Sequence, residues 1–222
     1  HLVSKQPVEG ALDHPDERLF LAGLMARIRE LDPDILVGWN LVDFDLRVLA
    51  NRCQSLHLAC RLGRVDGEIR FQRETSFARQ SRAEIPGRMV LDGIPLVRDA
   101  FRLQDYRLET VARALLGRGK RIDPDLPNAA AEIQRLYREE PAALLEYHLE
   151  DARLVYEILE REGLLELSIE RSLLSGMQLD RVGASIASFD LIYLPELTRR
   201  GVVAPSVDQE RKTEMVRGGA LL

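Results

Sequence analysis

The stretch Asp32-Pro33-Asp34-Ile35-Leu36-Val37-Gly38-Trp39-Asn40-Leu41-Val42-Asp43-Phe44-Asp45-Leu46-Arg47-Val48-Leu49 decides the fold. It opens on Asp-Pro-Asp, which ends any preceding helix, because proline lacks an N–H and disfavours helical backbone before it. The run Ile35–Asn40 is short, apolar and β-prone. It is continuously apolar rather than alternating, which predicts a strand buried on both faces, as in layered α/β sheets. Helical spacing then resumes with Phe44, Val48, Leu49 and Cys53. A strand passing directly into a helix is half of an α/β unit.

Working outward, Asp13-His14-Pro15-Asp16 supplies helix-start chemistry, and Leu21, Leu24, Met25, Ile28 and Leu31 recur at helical spacing. Residues 16–31 are predicted to form an amphipathic helix. Residues 61–88 carry no helical period and read as strands and loops, and Met89–Gly93 reads as a second short buried strand ending at a turn. Further helices are predicted over 108–116, 128–138 and 141–161, punctuated by Pro124, Pro127 and Pro141. Gly163 ends the last of these, and a helical run follows to about Ser175. Residues 176–180 read as a turn, 181–200 as helix and 201–217 as polar connecting chain, while 218–222 stop as if a strand were beginning. Helix, strand, helix, strand, helix is the order of an α/β layer fold. There is no internal repeat and no low-complexity segment.

Composition excludes several classes. The 222 residues are 45% hydrophobic and 30% charged, ordinary for a folded chain. Nothing approaches the roughly 18 apolar residues in a row that a membrane span requires, so no membrane partner is expected. His1-Leu2-Val3-Ser4-Lys5 is no signal peptide, and with no initiator Met it reads as the tail of a strand, so the chain is expected to be a fragment. Cys53 and Cys60 are too few for a four-ligand zinc site or a disulfide scaffold, and read as idle thiols in a reducing cytoplasm. The net charge of −5 argues against nonspecific coating of nucleic acid but leaves a nuclease open. Of the 31 basic residues only Lys5, Lys120 and Lys212 are lysines. Seven arginines (61, 64, 70, 73, 79, 82 and 88) fall between Arg61 and Arg88, where they form either a solvated hairpin with a regional arginine bias or a phosphate-contacting loop.

Two acidic sites about a hundred residues apart carry the chemistry. In Asn40-Leu-Val-Asp43-Phe44-Asp45 the strand gives way to helix, and in open α/β sheets sites form beyond the carboxyl ends of strands. Asp45 falls in the first helical turn, where the dipole favours an anion. From this segment alone, either aspartate could instead be a helix cap. In Tyr147-His148-Leu149-Glu150-Asp151, Tyr147 and Asp151 share a helix face about 6 Å apart along the axis. A carboxylate there can ligate a divalent cation beside a phenol that orients water, although a Tyr/Asp pair on a helix is more often plain surface.

Together these residues resemble the family B DNA polymerases. The Asp32–Leu49 phrase is similar to their second exonuclease motif, Asn-x-x-x-Phe-Asp, and Tyr147-x-x-x-Asp151 to their third. The similarity continues through Leu108–Gly117, Leu179-Asp-Arg-Val-Gly183 and Gly201-Val-Val-Ala-Pro205, and spans essentially the whole chain. It implies an RNase H-like 3′→5′ proofreading exonuclease with a mixed sheet flanked by helices, over residues 1–162. Residues 163–222 would be a helical lead-in to the polymerase palm. The implied cofactors are two divalent cations, Mg²⁺ or Mn²⁺, and two such ions roughly 4 Å apart stabilise both oxygens of a phosphodiester displacement. Carried over by residue, Asp45 helps hold one cation and Asp151 the other. Tyr147 helps orient the attacking water, while Asn40 and Phe44 sit near the 3′-terminal nucleotide. A related exonuclease class places His five positions before its last aspartate; here that position is Glu146, and His148 reads as a bystander.

The implied partners are a single-stranded DNA 3′ end, primer-template and dNTPs in the parent polymerase, with a sliding clamp as a further partner, in a bacterial cytoplasm. No Asp-x-Glu, the family's first motif, precedes Asn40, and Arg217-Gly218-Gly219 stands where many relatives carry Tyr-Gly-Gly. The first strands are therefore expected to be missing and the chain to be nearly inactive alone. The edge of Ile35–Trp39 would be left to self-association or another cover. The competing readings are a stand-alone tyrosine-type 3′→5′ exoribonuclease and a non-catalytic nucleic-acid-binding module of the same fold.

Overall fold

A computed structural model describes residues 11–72, 81–119, 129–183 and 185–204. Helix α1 (Glu17–Leu31) begins at Asp16, whose side chain accepts the Leu19 N–H at 2.8 Å. It ends at Asp32, in the left-handed conformation just before Pro33. Strand β1 (Ile35–Gly38) follows, then a π-helical turn over Leu41–Asp45, then α2 (Leu46–Ser55). The predicted strand thus stops two residues early, because Asn40 adopts φ +60° and turns the chain out of the sheet.

Strands β2 (Arg70–Gln72) and β3 (Arg82–Glu84) pair antiparallel, and β4 (Met89–Asp92) pairs parallel to β1 with Gly38 opposite Asp92. Among the described residues these are two separate two-stranded sheets. Helices α3 (Gly93–Ala100), α4 (Leu108–Leu116), α5 (Ala129–Glu139), α6 (Pro141–Arg161) and α7 (Leu164–Ser175) follow. The fold is α/β and mostly helical. The turn expected at Gly93 is instead the start of α3, which Asp92 caps. The predicted helix over 181–200 resolves into a 3₁₀ turn (Leu179–Arg181) and α8 (Ser185–Arg199). The terminal stretch 218–222 lies outside the described residues.

Two hydrophobic cores flank β1. Leu36 packs with α1 and α2 against Leu21, Met25, Leu46 and Cys53. Val37 and Trp39, on the opposite face, pack with Val97, Val111, Leu154 and Ile158 from α3, α4 and α6. A strand with helices on both sides needs apolar residues at every position, which is why Ile35–Trp39 does not alternate. The Asp-Pro-Asp breaker is pinned by two arginines. Arg64 reaches Asp32 and Asp34 at 2.6 Å each, and the buried Arg88 donates to the carbonyls of Leu62, Pro33 and Ile28. These two cations of the arginine-rich segment are therefore spent on the fold; Arg73 and Arg79 lie outside the described residues.

Candidate active site

The site grows from the carboxyl ends of β1 and β4. Beyond Gly38, Asn40 turns left-handed and the π-turn inserts one residue more per turn than an α-helix. Val42 is buried in the first core, while Asn40, Asp43, Phe44 and Asp45 face solvent, Phe44 with 58% of its surface exposed. Neither aspartate caps a helix through its side chain. Asp43 is held by Arg47, four residues on, at 3.2 Å, and the Arg47 guanidinium lies over the Phe71 ring. Asp45 is exposed as a residue, and its carboxyl is partly shielded from water. Burial of its carboxyl, the largest influence, raises its pKa, and Asp92 raises it further, while its own backbone N–H and His148 pull it down.

Tyr147 points inward, buried with Leu136 and Leu144 where α5 meets α6, and its ring lies 5.4 Å from that of His148. Asp151, half-buried, follows one turn along α6. The phenol expected to reach a water is therefore packed into a helix–helix seam.

The residue that sequence reasoning missed is Asp92. Its Oδ1 accepts the N–H groups of Asn40 and Ile94, both at 3.1 Å, and its Oδ2 accepts the N–H of Val42 at 3.2 Å. Desolvation raises its pKa, against the lowering by those three N–H groups. The signal was present, since Asp before Gly-Ile-Pro at a strand end is an N-cap pattern. Asp92 and Val42 also border a cavity of about 380 Å³ that Asp180 and Gly183 line as well, where Arg82 meets Asp180 at 3.5 Å.

Asp45 and Asp151 are hard oxygen donors of the kind Mg²⁺ and Mn²⁺ take. A cation beside Asp45 would offset the influence by which Asp92 raises its pKa. The donor set fits such an ion in kind and falls short in number: among the described residues, no group of three His, Cys, Asp or Glu side chains is placed to hold a metal.

Residues 4–111 match the family model described as DNA polymerase family B, exonuclease domain. The chain belongs to the family B DNA polymerases, through that domain. It is similar to DNA polymerase II of Escherichia coli (strain K12), with 36% identity over 190 residues, covering 85% of this chain and 24% of the relative. It is also similar to a DNA polymerase of Thermococcus sp. (strain 9oN-7), 29% identical across 91% of this chain and 25% of the relative. The DNA polymerase delta catalytic subunit of Schizosaccharomyces pombe is 32% identical across 60% of this chain and 13% of that protein. The chain thus spans about a quarter or less of the length of these relatives.

Proposed function

We propose that this chain is the 3′→5′ proofreading exonuclease part of a family B DNA polymerase, with an RNase H-like fold, acting on a single-stranded DNA 3′ end. Residues 1–162 make up that domain, and 163–222 lead into a palm. The observation that carries the reading is the match of residues 4–111 to the family B exonuclease domain, with Asn40 and Asp45 standing just beyond the carboxyl end of β1. The carboxyl end of a parallel strand pair is where α/β sites form.

In this reading Asp45 and Asp151 contribute to holding divalent cations, which when bound supply Lewis-acid stabilisation of the attacking and leaving oxygens. Exposed Phe44 offers a face on which the terminal base can stack. Asn40 lies beside it for hydrogen bonding. Tyr147 helps orient the attacking water. No described helix is long and apolar enough to cross a membrane. The two buried cysteines suit the cytoplasm.

Two carboxylates supply too few ligands for oxygen-preferring cations, which take about six. The pure chain should therefore trim a labelled single strand weakly at most in Mg²⁺. In a polymerase that carries these residues behind an Asp-x-Glu strand, Asp151→Ala should abolish trimming and leave nucleotide addition intact. Trimming that survives both Asp45→Ala and Asp151→Ala would sink the assignment.

A further inference from the structure

We propose that Asp92 is a positioning residue for the Asn40–Asp45 segment: its carboxylate seats the π-turn so that Phe44 and Asp45 are held outward in one register. The inference deepens the exonuclease reading and rests on it for its functional consequence.

The argument begins at the end of the sheet. Gly38 and Asp92 are partners in the parallel ladder, so β1 and β4 end side by side. Past that point the backbone of β1 has no strand to bond to. A left-handed non-glycine residue such as Asn40 persists where its surroundings fix it. Asp92 supplies the fixing. It accepts from Asn40 and Val42, two alternate N–H groups that the left-handed turn directs to one side. The same carboxylate accepts from Ile94, and so caps α3.

A single side chain therefore ties the start of the π-turn to the start of α3 and to the last rung of the ladder. Burial of the Val42 side chain closes the seat from below. With Asn40 and Val42 fixed, the next three residues must project away from the core, and these are Asp43, Phe44 and Asp45. Three N–H donors reach the two oxygens of Asp92, so it acts on the site through the backbone. No other described side chain bonds the Asn40 or Val42 amide.

The test uses the whole chain with Asp92→Asn and Asp92→Ala, read by residue-resolved amide exchange and by binding of a 3′-hydroxyl single-stranded oligonucleotide in EDTA. Asparagine keeps the shape but replaces one oxygen by an N–H donor. Whichever way the amide turns, the Val42 N–H or the Asn40 N–H faces a donor. Exchange at one of these amides should rise about tenfold, the loss of roughly one buried hydrogen bond. Leu36 and Leu91, in the ladder, should keep their protection, and oligonucleotide binding should weaken. Asp92→Ala should free both amides, and if it does not fold, the asparagine variant alone decides.

Unchanged exchange at Asn40 and Val42 overturns the assignment. So does a rise there matched by the ladder amides, which would make Asp92 merely part of the fold. If the unsubstituted chain fails to bind the oligonucleotide, the exonuclease reading fails, while the exchange comparison still decides the role of Asp92.

Discussion

The guanidinium of Arg88, on a side chain with 1% of its surface exposed, lies 2.9 Å from the carboxylate of Asp32, fifty-six positions earlier. The same group donates to the carbonyls of Leu62 and Pro33, so one cation stitches the start of β4 to the helix breaker and to the 61–66 loop. Replacing it should cost mainly through the carbonyls left without donors. Asp32 stands in solvent, so the ionic share is small. Arg88→Met is expected to lower unfolding free energy by about 2–4 kcal/mol in urea titration. Arg88→Lys should fall between, since a point donor cannot span the same carbonyls.

Gly93 sits where an added Cβ would come within 2.9 Å of the Trp39 ring and 3.1 Å of the Gly38 carbonyl oxygen. Trp39 cannot swing aside cheaply, because its indole N–H donates to the Tyr106 carbonyl at 3.0 Å. Gly93→Ala should therefore destabilise the chain by about 1–3 kcal/mol, the usual range for overpacking. Trp39 is the single tryptophan, so its emission should shift to longer wavelength in the same variant. Adding Trp39→Leu should recover part of the loss, and a strictly additive pair would refute the proposed clash.

Cys53 and Cys60 are buried free thiols. Burial pushes the Cys60 thiol up to about 12. A raised folded-state pKa means that the folded chain keeps its proton after the unfolded chain has lost it. The stability this confers is fully present below the ordinary thiol pKa near 9, and is lost as pH rises from there towards about 12. Denaturation midpoints should decline over that alkaline window, and less steeply for Cys60→Ala than for the unsubstituted chain. At pH 8 both thiols should resist a disulfide reagent until urea is added.

Arg118 bridges Glu150 and Glu157 of α6 from the loop after α4. All three side chains keep contact with water. Arg118→Ala is expected to change stability by under about 1 kcal/mol, with the difference vanishing in 1 M salt. A larger loss would mean that the loop is a true structural tie.

The strand Ile35–Gly38 and the helices α1, α4 and α6 were legible because each has one strong period, or an unbroken apolar run with a recognisable start. Asp16 caps where the Asp-x-Pro-Asp pattern said it would. What sequence concealed was geometry that depends on partners far along the chain. Nothing in Asn40-Leu-Val-Asp-Phe-Asp announces a π-turn, since its register is set by Asp92, more than forty positions later. The arginine-rich segment could not reveal which cations face inward, because Arg88 is buried by carbonyls that only the fold assembles. Tyr147 was legible as a motif residue, but its packing against Leu136 depends on how α5 docks on α6.

Strand β1 has a further consequence. Leu36 belongs to one hydrophobic core, and Val37 and Trp39 to the other, so neither core can loosen without disturbing a strand that the other also grips. The two halves of the domain are thereby denied separate melting points. The described body should unfold in a single cooperative transition, with fluorescence from Trp39 and far-ultraviolet dichroism tracing one curve.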